Sequence, residues 1–222
     1  MQLKKTFTEY RTIYLLPVAG VLLFVLLYII ATFFYPGGSQ ANKNAPGFSW
    51  LHNYWCNLLN NQAVNGQLNP AKWWARVGMA VLGATFCIFW WQFFYYTGFS
   101  KAARAAITGC GAMAMVLGMF LSSAAHDVLV ILSSVLGFIA MAFTFAGLFR
   151  LKWHGLFRLG ILNILLVLLN NLCYYTPSLI YLLPLVQKIT FLLFLVWVCL
   201  ICFRMRSAVM MSYGKPPVAG GA

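Results

Sequence analysis

The 222-residue chain is 63% hydrophobic and only 8% charged, and its fifteen Lys and Arg residues against two acidic residues give a formal net charge of +13. Soluble domains contain about 25% charged residues, and one core of this size cannot bury so much apolar surface. The cations lie in short clusters between apolar runs, which is typical of membrane orientation and argues against nucleic-acid binding. The composition therefore predicts a polytopic α-helical membrane protein.

Six apolar segments are long enough to cross a hydrocarbon core of roughly 30 Å as helices. We expect these transmembrane helices near residues 13–35, 74–96, 105–125, 128–149, 159–176 and 182–203. Residues 1–206 then form one all-α membrane domain, a bundle of six spans. The polar stretch 207–222 contains Gly and Pro and is predicted to be a disordered cytoplasmic tail.

The loop between the first two spans is much longer than the other connections. Within it, the segment FSWLHNYWCNLLN has apolar residues at helical spacing on one side. Its other side is polar without Lys or Glu, and carries Ser49, His52, Asn53, Cys56, Asn57 and Asn60. This pattern predicts an amphipathic helix near 47–62 at the outer membrane–water interface. Such a helix either seals the top of the bundle or lines a partly buried polar pocket.

Two short patterns indicate how helices begin and pack. Asn69 followed by Pro70 is typical of an N-cap and a first helical residue, which starts the second span. In the third span, small residues recur every four positions and favour close packing against Gly137 of the fourth span. These small residues are Ala114, Gly118 and Ser122. We therefore expect the third and fourth spans to form a hairpin.

The distribution of cations predicts the orientation. If the N-terminus is cytoplasmic, eleven Lys and Arg residues fall in inner segments and four in outer ones. Cytoplasmic loops carry the excess of Lys and Arg in multi-pass proteins. The sequence thus predicts a multi-pass protein of the cell (cytoplasmic) membrane with both termini in the cytoplasm.

This topology brings further polar residues to the outer side: His126, Asp127, Asn170, Asn171 and Lys188. Strongly polar groups at membrane depth are costly and indicate function by default. Each also has a structural interpretation. Asp127 suits a helix cap, the asparagines suit bonds between helices, and Lys188 is long enough to reach the headgroups.

A catalytic or metal site would join His52, His126 and Asp127. Two imidazoles and a carboxylate can hold a metal, or can act as a base and its orienting group. The three residues lack HExxH spacing, and no second carboxylate is present to share acid–base work. We therefore expect no cofactor, and the enzyme interpretation is the alternative rather than the leading hypothesis.

The chain resembles a bacterial family of six-span membrane proteins of unknown function, distantly similar to the FGF-receptor-activating and DRAM-like proteins. The resemblance covers the loop segment PGFSWLHNYWCNLLN, the entry NPAKWWARVGMAVLG into the second span, and the segment HDVLVILSSVLGFIAMAF. It implies the six-span fold. The family has no settled activity, so the resemblance implies no catalytic residue.

The sequence predicts a membrane binding or interaction protein, with the lipid bilayer as its surroundings. An outer-leaflet pocket would take a lipid, a small amphiphile or a partner helix, which includes another membrane protein or a second copy. Its lining would comprise Ser49, His52, Asn53, Asn57, His126, Asp127, Asn170, Asn171 and Lys188. The alternative is a membrane-embedded hydrolase or metal-dependent enzyme that uses His52, His126 and Asp127.

Overall fold

The computed structural model describes residues 12–119 and 126–213, and the regular structure within these ranges is helical, without a β-strand. Six α-helices follow in chain order: α1 (Leu16–Phe33), α2 (Ala71–Tyr96), α3 (Lys101–Met119), α4 (His126–Arg150), α5 (His154–Tyr175) and α6 (Leu183–Tyr213). Two short 3₁₀ helices, Trp55–Leu59 and Ile180–Leu182, lie in connections. The predicted all-α fold is confirmed.

Five helical segments in the described part are long and apolar enough to cross a membrane: Leu16–Phe33, Ala71–Tyr96, Ile131–Arg150, His154–Tyr175 and Ile180–Met211. Their outward faces carry many exposed large apolar side chains, for example Leu162, Leu165 and Leu168 along α5. A soluble monomer rarely exposes apolar patches of this extent. The predicted third span at 105–125 runs past α3 into residues 120–125, which lie outside the described ranges.

Helix α2 lies at the centre of the bundle and contacts α1, α3, α4 and α6. Several helices approach it through glycines. A β-carbon built on Gly20 of α1 would overlap Thr85 Oγ1, and one on Gly111 of α3 would overlap the Trp90 ring. The buried core is strongly aromatic and includes Phe24, Phe86, Phe89, Phe93, Phe94 and Trp197. Glycine is required at these positions because the larger partners fill the space.

The predicted packing of α3 against α4 through small residues is confirmed at one position. A β-carbon built on Gly137 of α4 would lie 3.8 Å from Ala114 Cβ of α3, which is ordinary van der Waals contact. Gly118, the next residue of the small-residue row, has no such neighbour within 4 Å. Ser122 lies outside the described residues.

The amphipathic helix predicted near 47–62 is not confirmed as one continuous helix. That segment contains a turn around residues 50–52 and the single 3₁₀ helix Trp55–Leu59. Asparagine and serine side chains form hydrogen bonds with backbone groups that would pair with each other in a continuous helix. This competition is the physical reason why the segment is not one helix. Helix α6 also runs through Tyr213, past position 207 where the disordered tail was predicted to begin. Residues 214–222 of that tail lie outside the described part.

Candidate functional site: the cap loop

Residues 36–70 form a loop, hereafter the cap loop, whose two halves are joined by backbone contacts. Each half is closed by an isolated antiparallel bridge, Gly37 with Pro46 in the first half and Gln62 with Leu68 in the second. Asn65 N–H donates to Gly37 O at 3.4 Å, and Val64 N–H donates to the Tyr35 hydroxyl at 3.0 Å. Burial raises the pKa of Tyr35, although the hydrogen bond from Val64 acts in the opposite sense. The phenol is therefore protonated at neutral pH, and its neutral oxygen accepts the hydrogen bond from Val64 N–H.

Asn69 joins the 3₁₀ helix to the start of α2. Its Nδ2 donates to the carbonyls of Asn57, Leu58 and Asn60 at 3.1, 3.3 and 2.9 Å. Its Oδ1 accepts from Ala71 N–H at 3.2 Å, which is the predicted capping contact, although the helix itself begins at Ala71. The side chain is 1% exposed. The two amide protons are thus shared among three carbonyls, and the amide oxygen accepts from one N–H at the start of α2.

Two predicted binding residues, Asn53 and Asn57, are buried and hold the loop together. Asn53 Oδ1 accepts from Ser49 N–H at 2.8 Å, and its Nδ2 donates to Gly38 O at 2.8 Å. Asn57 Oδ1 accepts from Tyr54 N–H at 2.7 Å. Buried amides that bond the backbone in this way stabilise one loop conformation. Both residues therefore shape the site rather than present open hydrogen-bonding groups.

Lys188 of α6, another predicted binding residue, is 5% exposed and reaches into the cap loop. Its Nζ donates to Asn53 O, and to Pro184 O at 2.8 Å. The ammonium also lies 5.8 Å from the centroid of the Phe48 ring, which is a cation–π contact. Main-chain carbonyls and a ring thus surround this buried cation, and the loop closes over the start of α6.

Trp55 attaches the cap loop to the bundle. Its ring centroid lies 6.2 Å from Phe24, 5.4 Å from Tyr28 and 5.1 Å from Phe191. Its backbone N–H donates to Gln187 Oε1 at 3.2 Å. The indole Nε1 is buried and has no hydrogen-bond partner among the described residues. Gln187 and Lys188, two consecutive residues of α6, therefore both bind the cap loop.

One exposed part of the cap loop is the turn that contains Ser49 and His52. Ser49 Oγ lies 3.2 Å from His52 Nδ1 and also accepts from His52 N–H at 3.3 Å. Trp50 and Leu51, between them, are 47% and 59% exposed. Asn53 N–H closes the turn on Ser49 O at 2.9 Å. A polar pair is therefore held beside two exposed apolar side chains on an ordered backbone.

The predicted binding residues of α5 bond mainly to their own helix. Asn170 Nδ2 donates to Leu166 O at 2.9 Å and to Thr190 Oγ1 of α6 at 2.6 Å. Asn171 Nδ2 donates to Val167 O at 2.9 Å, and Asn171 is exposed. Asn170 thus links two helices, as the structural interpretation expected.

The remaining predicted site residues, His126 and Asp127, begin α4, and their side chains lie outside the described part of the structure. The convergence of His52 with them is therefore still a prediction. Among the residues that are described, no group of three His, Cys, Asp or Glu side chains is placed to hold a metal ion.

Sequence reasoning assigned Asn69 only a capping role and did not anticipate its three carbonyl contacts. Those contacts depend on the path of the loop, for which sequence carries no local signal. The sequence also contains a Cys-x-x-Cys spacing, Cys199 and Cys202, inside α6. Both thiols are free, and they are packed in or against the apolar core, where cysteine acts as a small hydrophobe.

No protein-family profile, curated protein or solved structure is significantly similar to this chain. The resemblance to the bacterial six-span family is therefore still a prediction, and the function has to be argued from the cap loop itself.

Proposed function

We propose that the chain is a six-span membrane protein with cytoplasmic termini, and that its cap loop binds the headgroup region of a lipid or small amphiphile on the outer side. Ser49 and His52 would bond the polar headgroup, while Trp50 and Leu51 would contact its apolar part. The buried residues Asn53, Asn57 and Lys188 would act indirectly, because they hold the turn in position.

The observation that carries this proposal is the pair formed by half-buried Ser49 and exposed His52, with Oγ and Nδ1 3.2 Å apart and the exposed Trp50 and Leu51 between them. A tryptophan at headgroup depth places its apolar ring in the membrane and keeps its N–H near water. Because the loop is internally bonded, little conformational entropy is lost when the turn meets a ligand. The combination suits an amphiphile better than a wholly polar solute.

Photo-cross-linking tests this function. The full chain would be placed in nanodiscs of phosphatidylcholine that contain photoreactive phosphatidylglycerol or phosphatidylethanolamine, and the labelled peptides identified by mass spectrometry. We expect labelling within residues 48–54. The double change Ser49→Ala and His52→Ala should lower it about tenfold, the effect of losing one or two good hydrogen bonds.

Asn171→Ala provides the matched control, because Asn171 is an exposed polar residue of α5 whose amide bonds its own helix. Its labelling of residues 48–54 should equal that of the unchanged chain. Labelling spread evenly over the lipid-facing helices, with no response to the Ser49 and His52 changes, would contradict the proposal. Cross-links from the loop to a second copy of the chain would indicate that the loop binds a protein partner instead of a lipid.

The contact between Ser49 and His52 also favours a second candidate function, that of a membrane-embedded hydrolase. A serine oxygen within hydrogen-bonding distance of an imidazole is the arrangement of a nucleophile and its base. In this alternative His52 acts with His126 and Asp127, and Asp127 would orient an imidazole. A fluorophosphonate probe should then modify Ser49 in the unchanged chain and not in the His52→Ala variant. Absence of labelling at Ser49 rejects the enzyme.

A further inference from the structure

A second feature lies at the far end of α2 from the cap loop. A cavity of about 350 Å³ opens there, lined by Lys152, Trp153, His154, Gly155, Leu156 and Arg204. The centroid of the Tyr96 ring, at the end of α2, lies 5.6 Å from that of the Trp153 ring, which places the cavity beside this end of α2. Lys152, His154 and Arg204 are basic and exposed and none of the six residues is acidic, while most of the surface that faces the cavity is apolar. The cavity is large enough for a phosphate group with part of the molecule attached to it.

The lining is held in place by the turn between α4 and α5. Trp153 N–H donates to Leu148 O at 3.0 Å and Lys152 N–H donates to Phe149 O at 3.0 Å, which together form a Schellman motif. Lys152 occupies its left-handed position with φ of 55°. On the other wall, Trp197 Nε1 donates to Leu156 O at 2.7 Å. The basic side chains therefore project from an ordered backbone.

These cations have few carboxylates to pair with. The chain contains only Glu9 and Asp127 as acidic residues against fifteen Lys and Arg. Asp127 stands at the start of α4, about 35 Å of helix away from the turn that follows Arg150, and Glu9 lies outside the described part. The Arg204 guanidinium lies 5.8 Å from the Trp153 ring centroid instead. The positive charges of Lys152 and Arg204 beside the apolar surface of the cavity therefore favour an external anion with an apolar part.

The start of α5 adds hydrogen-bond donors to this charge. Trp153 is the N-cap residue and makes no side-chain cap bond, so the first-turn N–H groups are not capped by this residue. Gly155 in this turn has open space where a β-carbon would be, so a ligand can approach the backbone. A guanidinium with a planar fork and an uncapped helix start are both suited to phosphate oxygens.

We propose that this cavity binds a phosphate group, carried by an anionic phospholipid headgroup. This site is separate from the cap loop and goes beyond the function proposed above. The exposed apolar residues Leu159 and Leu162 continue along α5 from the cavity, and acyl chains would lie against them. Basic pockets between transmembrane helices bind such headgroups elsewhere.

Thermal unfolding of the full chain in a nonionic detergent tests the proposal. The added probes are dihexanoylphosphatidylglycerol, dihexanoylphosphatidylcholine and inorganic phosphate, each titrated separately. A ligand that binds the folded state raises the unfolding midpoint with concentration. We expect phosphatidylglycerol to raise it at the lowest concentration. The double change Lys152→Gly and Arg204→Gln should weaken this apparent affinity at least about tenfold, the cost of losing charge-assisted hydrogen bonds.

Two variants separate binding from folding. Lys152→Gly alone should raise the midpoint without lipid, because glycine adopts the left-handed conformation freely, yet it should reduce the gain caused by phosphatidylglycerol. Lys101→Gln with Arg150→Gln is the control, since it removes two positive charges at the same end without changing the cavity lining. This control should retain the response to phosphatidylglycerol.

The probes distinguish the source of the phosphate. Protection by phosphatidylglycerol alone supports the lipid headgroup, and equal protection by inorganic phosphate supports a phosphate site that takes a free anion. Protection by neither probe overturns the site. An equal loss of response in the cavity variant and the control also overturns it, because net charge would then explain the effect.

Discussion

Asparagine carries an acceptor and a two-proton donor on a short side chain, so it can replace the backbone partners that a helix or sheet would supply. In the cap loop this property decides the local structure. Asn53, Asn57 and Asn69 are all buried, and their amides bond main-chain groups. Lys188 plays a similar part with a charge, since its ammonium donates to Asn53 O. Polar side chains thus act here as the framework of an irregular loop.

Asn69→Ala should be the most damaging asparagine change in the loop. It leaves three carbonyls without their donor and removes a helix cap, so we expect a loss of about 1–3 kcal/mol. Asn69→Asp keeps the acceptor for Ala71 N–H and loses the donor, which isolates the carbonyl contacts. The measurements are the unfolding midpoint and amide hydrogen exchange over residues 55–71.

Asn61→Ala is the matched control for Asn69. Asn61 is exposed, and its Oδ1 accepts from the flexible side chains of Lys72 and Arg76 at 3.2 Å. Surface changes of this kind alter stability by less than about 0.5 kcal/mol. Equal effects of the two alanine changes would show that the loop does not depend on Asn69.

At the scale of the helices, the bundle depends on close approaches at glycine. A β-carbon on Gly160 of α5 would lie 2.7 Å from the Phe145 ring of α4 and 2.8 Å from the Trp197 ring of α6. Between helices in lipid the hydrophobic effect is largely absent, so packing contacts matter more. Gly160 therefore stands where three helices meet, and its lack of a side chain allows two aromatic rings to fill the junction.

Gly160→Ala should destabilise the bundle by about 1–3 kcal/mol, because the rings must move to admit a methyl group. Gly109→Ala in α3 should instead be neutral or stabilise by up to about 1 kcal/mol, since nothing lies within 4 Å of its β-carbon position. The comparison uses unfolding of both variants in the same detergent. A similar loss of stability in both variants would mean that helix propensity or the detergent, and not the packing at the junction, causes the effect.

At the scale of the whole molecule, composition and hydropathy were sufficient to predict an all-α chain with long apolar helices. The apolar pattern of the loop was not sufficient to predict its structure. Trp55, Leu58 and Leu59 have helical spacing whether they form an α-helix or one 3₁₀ helix. The partners that decide between the two, Asn69 and Gln187, are distant in sequence. The cavity at the α4–α5 turn could not be predicted from the sequence either, because it depends on Arg204 lying beside Trp153.

The orientation of the molecule is testable by labelling. In a variant whose six cysteines are replaced by alanine, Asn44→Cys lies in the exposed part of the cap loop, and Lys101→Cys lies at the other end of α2. With cytoplasmic termini, a membrane-impermeant maleimide should label the first cysteine in intact cells and the second only after permeabilisation. The reverse result would invert the topology that the distribution of Lys and Arg predicts.

Helix α6 has a mechanical role that follows from its contacts. Gln187 and Lys188 hold the cap loop near its beginning, and Arg204 borders the basic cavity sixteen residues later, about 24 Å along one rigid rod. An axial shift or rotation of α6 at the cavity would carry Lys188 and its attached loop with it. We therefore expect a displacement of α6 beside the cavity to reach the cap loop through this one continuous helix.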